Sequence, residues 1–464
     1  DGQIDEEVYV AGSFVQSKMF HKGIKCVDCH DPHTARTLAK GNALCMRCHI
    51  PKPENPTLYD SPTHHHHEVG TKGAMCVECH MPEKTYMVVD PRRDHSIRVP
   101  RPDLSAKLGT PNACNRCHDD KDAKWSADWI VKWHGPDRAR DVRHAETFAA
   151  ARKDEPGVEK QLLAVVSDAE SPAFTRASAL LALRQYRGVD DVSVATQALK
   201  DPNPLVRVAA ISLLDDRTQG ESRRLLAPLL RDSTRAVRTE AARVISPLAN
   251  GELAKNDRLA FTRAYDELQK RYTDNLDRPE AHLSLGIQAS NRGDLVGAKK
   301  YYLRSIQRDE NFIPARVNLA DLFLREGNNA QAERLWREVT KLMPEWGDGF
   351  YSLGLLVAED PARLKEAAAI LETAAKKMPK HARAHYNLGI SLWQLGEKAR
   401  VAKALAQAGR LDPTNPVYPL GLAQFYAQDK KWRVALPYAR KAAELSPADP
   451  TTQRLLLLIN RNLQ

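Results

Sequence analysis

At 464 residues, 42% hydrophobic and 28% charged, the chain has the make-up of a globular protein of two to four domains, which excludes a disordered or fibrous reading. No apolar run approaches the roughly 18 to 20 residues of a membrane-spanning helix, so no transmembrane segment is expected; the longest, LLLLI near the C-terminus, is far too short. The formal charge of +10 is scattered without a basic patch, which argues against nucleic acid as a partner. The chain starts at Asp1 with no methionine or charged-then-apolar leader. It therefore reads as one that has lost a signal peptide or as a piece of a longer protein.

Residues 1–118 are rich in Cys, His, Pro and Gly and show little sustained helical or strand periodicity. The stretch KGIKCVDCHDPHT sets Cys26, Cys29 and His30 in the Cys-x-x-Cys-His pattern that attaches c-type haem: two thiols form thioethers to the vinyl groups, and the adjoining histidine binds the iron. The pattern recurs at Cys45, Cys48, His49; at Cys76, Cys79, His80; and at Cys114, Cys117, His118, consuming all eight cysteines. Structural zinc or disulfides are the alternatives, but neither requires a histidine after the second cysteine four times in four. Four covalently bound haem c groups are therefore expected, with His30, His49, His80 and His118 as proximal ligands and haem supplying the core of this region. Thioether attachment takes place outside the energy-transducing membrane, so a periplasmic or extracellular location follows from the chemistry.

A haem that only transfers electrons takes a second side-chain ligand, whereas a catalytic haem leaves that position open. The candidates for the distal position are His21, His33, His95 and the run His64, His65, His66 and His67, of which one or two are expected to ligate. Met19, Met46, Met75, Met81 and Met87 read as packing. Residues 30 and 33 are about 10 Å apart at full extension, too close for His33 to pass round the porphyrin of His30. His33 is therefore expected to serve a neighbouring haem, and His21, five residues before Cys26, faces a similar restriction. His144, His282, His381 and His385 read as surface or hydrogen-bonding groups.

Residues 119–158 form a connecting segment whose helix places Trp125, Trp129 and Trp133 on one face and stops at Gly135 and Pro136. That face is expected to pack against a neighbouring domain. In residues 159–250 an Asp-turn-helix pattern repeats every 31 residues, with Arg176, Arg207 and Arg238 on the helices and Asp168, Asp201 and Asp232 in the turns. This predicts short HEAT-like repeats, each arginine bonded to the aspartate of its own turn.

Residues 251–464 repeat at 34 or 35 residues. The small residues Gly286, Ala320, Gly354, Gly389 and Ala423 mark the helix crossings, and Pro344, Pro379, Pro413 and Pro447 close the repeats. The period and pattern are those of tetratricopeptide repeats, followed by a capping helix in TTQRLLLLINRNLQ. The fold class expected is mainly α: a loop-rich, haem-packed cytochrome domain followed by an α-solenoid, HEAT-like and then tetratricopeptide.

The segments SFVQSKMFHKGIKCVDCHDPHT, HHHHEVGTKGAMCVECHMPEKTYMVVDPRRDHSIRVPRPD and LGTPNACNRCHDD resemble multihaem cytochromes that carry C-terminal tetratricopeptide repeats. Their haem region is similar to the superfamily of ammonia-forming nitrite reductase and hydroxylamine oxidoreductase. The resemblance implies that His95, His21 and one of His64 to His67 are distal ligands, and that longer relatives carry further motifs upstream. The CxxCK motif of the nitrite reductase catalytic haem is missing, as is any motif for a crosslinking tyrosine. The function expected is electron transfer to redox partner proteins, other cytochromes above all, with the solenoid docking them. The alternatives are a subunit of an oxidoreductase acting on small nitrogen or sulfur species, and a self-assembling subunit of an extracellular cytochrome filament.

Overall fold

The computed structural model describes residues 10–136, 144–186, 191–215, 224–248 and 253–464. It forms two compact units, Asp1–Val244 and Ile245–Gln464, both mainly helical. The expected junction at 250/251 and residues 137–143 of the connecting segment lie outside the described residues.

The first 118 positions of the first unit contain only short elements. Helix α1 (Pro62–His65) opens with proline at its first position, where a missing N–H costs nothing, and ends at His66, whose backbone is left-handed (φ 57°, ψ 28°). Helix α2 (Cys76–His80) is the third CxxCH motif itself. An antiparallel hairpin follows, strand β1 (Glu83–Tyr86) pairing with β2 (Asp90–Arg93) in the register Glu83 to Arg93. Alternation of apolar and polar residues is missing from EKTY and DPRR, so the hairpin has no sequence signal. Among the described residues before 119, the buried apolar side chains are Ala74, Pro102 and Leu104.

Helix α3 (Ala123–His134) begins where the Asp122 side chain accepts the Trp125 N–H at 2.8 Å, and its three tryptophans follow one another at ring-centre distances of 6.2 and 5.4 Å. Beyond it, helices Val158–Ser167, Ala173–Leu183, Asp191–Ala198 and Pro204–Leu213 bury a continuous apolar core that includes Leu162, Leu180, Ile211 and Leu214.

The arginines of this region correct the expected bonding. Arg176 Nη2 donates to Asp201 at 2.8 Å, and Arg207 donates from Nε and Nη2 to the two oxygens of Asp232 at 2.9 Å each. Meanwhile Nη1 of Arg176, Arg207 and Arg238 donates to carbonyls of the preceding turn, Ser171, Asp201 and Ser233 respectively. Each bridge to a carboxylate therefore joins one repeat to the next. Asp168 is already engaged in its own turn, accepting from Ser171 Oγ at 2.6 Å and the Glu170 N–H at 3.0 Å.

The second unit is a series of antiparallel helix pairs: Pro279–Asn291 with Leu295–Arg308, Ile313–Arg325 with Asn329–Leu342, Gly347–Ala358 with Leu364–Lys377, Ala382–Gln394 with Lys398–Leu411, and Val417–Gln428 with Trp432–Leu445. Helix Pro450–Arg461 packs on the last pair. The pairs cross tightly at the small residues: a Cβ added at Gly286 would lie 2.5 Å from the Tyr302 ring, and one at Gly389 2.6 Å from Leu405. Tyr302, Leu319, Leu371 and Leu392 are fully buried along the axis of this unit.

Candidate haem-binding site

The first motif closes into a loop held by Asp31, whose Oδ1 accepts the N–H groups of His33 and Thr34 and the Thr34 hydroxyl at 2.8–3.1 Å. These hydrogen bonds, those of Thr34 foremost, hold the Asp31 carboxyl below its ordinary range. The loop brings the Ala35 carbonyl to 2.9 Å from His30 Nδ1. A histidine whose Nδ1–H donates to a carbonyl presents Nε2 as a lone-pair donor, the tautomer that metal binding requires. His80 Nδ1 makes the same contact with the Arg98 carbonyl at 2.8 Å, and His95 Nδ1 with the Arg93 carbonyl at 2.9 Å.

The stretch DHSIR at 94–98 forms a tight turn behind His95. Asp94 accepts from the Ser96 N–H at 2.9 Å and the Ser96 hydroxyl at 2.6 Å and forms a salt bridge with Arg98 at 3.2 Å. The Arg98 N–H returns to the His80 carbonyl at 3.2 Å. Ile97, a β-branched residue, sits at φ 44°, a strained conformation of the kind that surrounding structure must hold in place. Arg93 clamps the hairpin to the third motif through Glu78 at 2.7 Å and the Met81 carbonyl at 3.2 Å.

Three of the four motif histidines face a second imidazole from elsewhere in the chain. His30 and His95 have ring centres 6.3 Å apart, His80 and His64 6.3 Å, and His118 and His67 6.2 Å. Two imidazoles holding one metal ion between their Nε2 atoms would stand about 6.2 Å apart, given metal–nitrogen bonds of about 2.0 Å and a ring radius of about 1.1 Å. The residues present thus fit a haem with two axial histidines.

The tetrahistidine run divides because of the left-handed His66. His64 leaves on α1 toward His80, and His67, beyond the reversal, turns toward His118 with its Nδ1 2.5 Å from the His65 carbonyl. Gly73 makes room for it, since a Cβ there would lie 2.3 Å from the His67 ring. His65 accepts the His67 N–H on Nδ1 at 3.2 Å and makes no ring contact with a motif histidine. His21 touches only the neighbouring Phe20 ring, and His33 is exposed on its loop without a ring contact. His49, the remaining motif histidine, meets the edge of Tyr59 at 5.7 Å.

Successive motifs are neighbours. The Cys45 and Cys76 thiols share a hydrogen bond that lowers Cys45 to about 7 and raises Cys76. Cys29 is raised by burial and by the charges of Cys45 and Cys48, while burial and the charges of Cys114 and Cys117 lift Cys79 to about 11. Asn42 ties the second motif to the third, donating to the Ala74 carbonyl at 2.9 Å and accepting the Cys76 N–H at 2.9 Å. Among the described residues no three His, Cys, Asp or Glu side chains converge on one point, as a structural zinc site needs.

Sequence reasoning missed Tyr59, Gly73 and His134. Tyr59 stands between His49 and His64, and His134 has its ring centre 6.2 Å from that of His64. Thr57, Leu58, Tyr59, Thr63, His64 and His134 line a cavity of about 440 Å³. None has a signature spacing; only the CxxCH histidines do. The tryptophan face of α3 lies against the motif region that precedes it: Trp125 packs on His118 at 5.0 Å and Trp133 on His66 at 4.2 Å.

Two family models match parts of the chain: a doubled CXXCH motif over residues 18–54 and a tetratricopeptide repeat over residues 360–424. No curated protein matches. Among solved structures the chain is similar to YrrB, titled a TPR protein with an unusual peptide-binding site, at 18% identity over 40% of this chain and 95% of that one, with a TM-score of 0.36. MamA from Desulfovibrio magneticus RS-1 is 20% identical over 37% and 97% of the two chains, with a TM-score of 0.34. Pseudomonas aeruginosa pilF is 19% identical over 42% and 86%, with a TM-score of 0.35. The doubled motif points to covalent haem c binding, and the tetratricopeptide repeats point to protein–protein docking. Among the described residues no helix is long and apolar enough to cross a membrane.

Proposed function

We propose that the protein is a tetrahaem c-type cytochrome that passes electrons between partner proteins, other cytochromes above all, docked on its repeats. The observation that carries this reading is the set of three imidazole pairs at 6.2–6.3 Å. Haem iron supplies reversible one-electron chemistry, and histidines on both sides leave it no position for a substrate. His30, His80 and His118 are then proximal ligands, with His95, His64 and His67 opposite them. His49 would be the fourth proximal residue, and His33 would complete the hold on that haem. The loop bearing His33 adjoins the second motif, as the Arg47 donation to the Asp28 carbonyl at 2.9 Å indicates. The helices within residues 159–250 are HEAT-like, the haem region is akin to the nitrite reductase and hydroxylamine oxidoreductase superfamily, and the site of action is periplasmic or extracellular.

Intact mass, a pyridine haemochrome count and electron paramagnetic resonance test this together. Four haems that resist acid-acetone extraction, all low-spin, are expected. Stoichiometric zinc, or haem that extracts, defeats the assignment.

A second reading, an oxidoreductase with one open haem, draws on one observation: His49 faces Tyr59 and not an imidazole. Replacing His33 with alanine separates the two. On the first reading one haem turns from low-spin to high-spin and the other three are unchanged. On the second, a high-spin haem that binds cyanide is already present before the substitution, and His33→Ala leaves it as it was.

A further inference from the structure

We infer that the tryptophan face of α3 is a splint that aims two axial histidines at two different haems, with Trp133 gripping His66 as its working contact. The inference rests on the reading of His64 and His67 as iron ligands. It concerns a residue that binds no iron itself.

The contact is a close one. The His66 and Trp133 rings are 4.2 Å apart and within 12° of parallel, the tightest ring pair in the haem region. His66 Nε2 is buried without a hydrogen-bond partner, so the stack and not a polar contact holds the ring. The same residue carries the left-handed backbone that ends α1. A non-glycine residue seldom rests there, because its Cβ crowds the following carbonyl, and it stays only when its surroundings hold it. That reversal sends His64 to His80 on one side and His67 to His118 on the other. Without it, a continuing α1 would carry His67 onward along the helix, about 100° per residue from its neighbours, and away from Gly73.

The other end of the splint is fastened to the fourth motif. Asn115, inside CNRCH, accepts from Ser126 Oγ at 3.0 Å and donates to the carbonyls of His118 at 3.1 Å and Lys121 at 2.7 Å. Trp125, one turn into the helix, packs on the His118 ring at 5.0 Å. The 12 residues of α3 thus form a rod about 18 Å long between the proximal histidine of one haem and the residue that orients its distal partner. His67 and His118 are held to one spacing by a single helix. His64 shares that support because it lies two residues before His66.

The test compares the full haem-loaded chain with Trp133→Leu, which keeps bulk but removes the flat ring, His66→Gly, which keeps the left-handed backbone, and Trp129→Leu, which alters the same face away from His66. Haem content by pyridine haemochrome and low-spin resonance signals are read in each. In Trp133→Leu two of the four low-spin signals should shift, the same two that are lost singly in His64→Ala and His67→Ala. His66→Gly, which rests in the left-handed region unaided, and Trp129→Leu should leave all four in place. Shifts in none, in one, or in all four signals of Trp133→Leu overturn the splint. Should Trp133→Leu lose haem, Trp133→Phe decides: a returned four-signal spectrum supports ring stacking, and a persistent loss refutes it. A wild-type chain that carries no haem would instead strike at the cytochrome reading, which separates the two failures.

Discussion

Residues 10–118 and residues 253–464 hold their folds by different means. The first stretch buries only Ala74, Pro102 and Leu104 as apolar side chains among the described residues and relies on asparagine, aspartate and arginine bridges between short loops. The second buries Tyr302 and Leu319, then Leu371 and Leu392, then Ile459 in three successive apolar clusters. A chain of that first length with three buried apolar residues cannot offset the entropy of ordering it, since burial is the main favourable term in folding. On the function proposed above, the motif region is a ligand cage whose stability would come from what it binds, whereas the repeats stabilise one another.

The sharpest way to break this comparison is to remove haem attachment by changing all eight motif cysteines to serine. We expect residues 10–118 to lose protection from protease completely, while a segment from about 255 onward stays resistant and keeps its helical circular dichroism. A motif region that stays protected without thioethers would show that its polar bridges suffice. A repeat segment that unfolds when isolated would show that it depends on the haem region.

The converse experiment is Leu405→Ala. Leu405 is fully buried and packs beneath Gly389. Truncating it should cost about 3 kcal/mol, by the cavity it leaves. Thermal melting of the repeat unit should fall while haem spin state and potentials hold. A spectral change would mean that strain in the repeats reaches the haems.

Why the two regions differed in legibility follows from the same physics. Helix pairs that stack on their sequence neighbours must repeat their small and apolar residues at a fixed period, so Gly286 to Ala423 named the crossings directly. The CxxCH motifs are likewise local, because one haem edge spans four residues. Which imidazole faces which is not local. His95 lies 65 positions from His30, and the choice between His64 and His67 turns on the backbone of His66, which spacing does not reveal. The hairpin at 83–93 was equally hidden, its strands being polar on both faces. The arginine ladder escapes the sequence for a related reason: its carboxylate partners are 25 residues away, in the next turn, and only stacking brings them within reach.

That ladder offers a smaller test on the repeat side of the comparison. Arg207 and Asp232 are almost out of reach of solvent, at 12% and 9% side-chain exposure, and meet in a two-point bridge. Arg207→Ala should destabilise this part of the first unit by about 2 kcal/mol, because the Asp232 carboxylate is left buried without its cation. Denaturant melts of Arg207→Ala and of Arg207→Ala with Asp232→Asn measure it. The second change should recover part of the loss if the bridge is the cause; equal stability of the two variants would assign the effect to lost packing instead.

The smallest effect expected is a dependence of the repeat unit on acid. Glu333 accepts from both Arg363 nitrogens at 2.7 and 2.8 Å and from Arg337 Nε at 2.9 Å, and these bonds, those from Arg363 first, pull its carboxyl down to about 2. In the unfolded chain a glutamate titrates near about 4.3. The folded form therefore binds its proton less readily, and the group's contribution is fully present above the unfolded value. It must be lost as the pH falls from there toward 2. Both arginines are partly exposed, at 33% and 45%, so solvent screens the cluster and salt should weaken it further. Between about pH 4.3 and 2 the melting temperature of the wild-type unit should drop more steeply than that of Glu333→Gln, and the two slopes should converge in high salt. Parallel slopes at low salt would mean that Arg363 and Arg337 find other acceptors, Glu366 first among them, and that this cluster is interchangeable rather than built around Glu333.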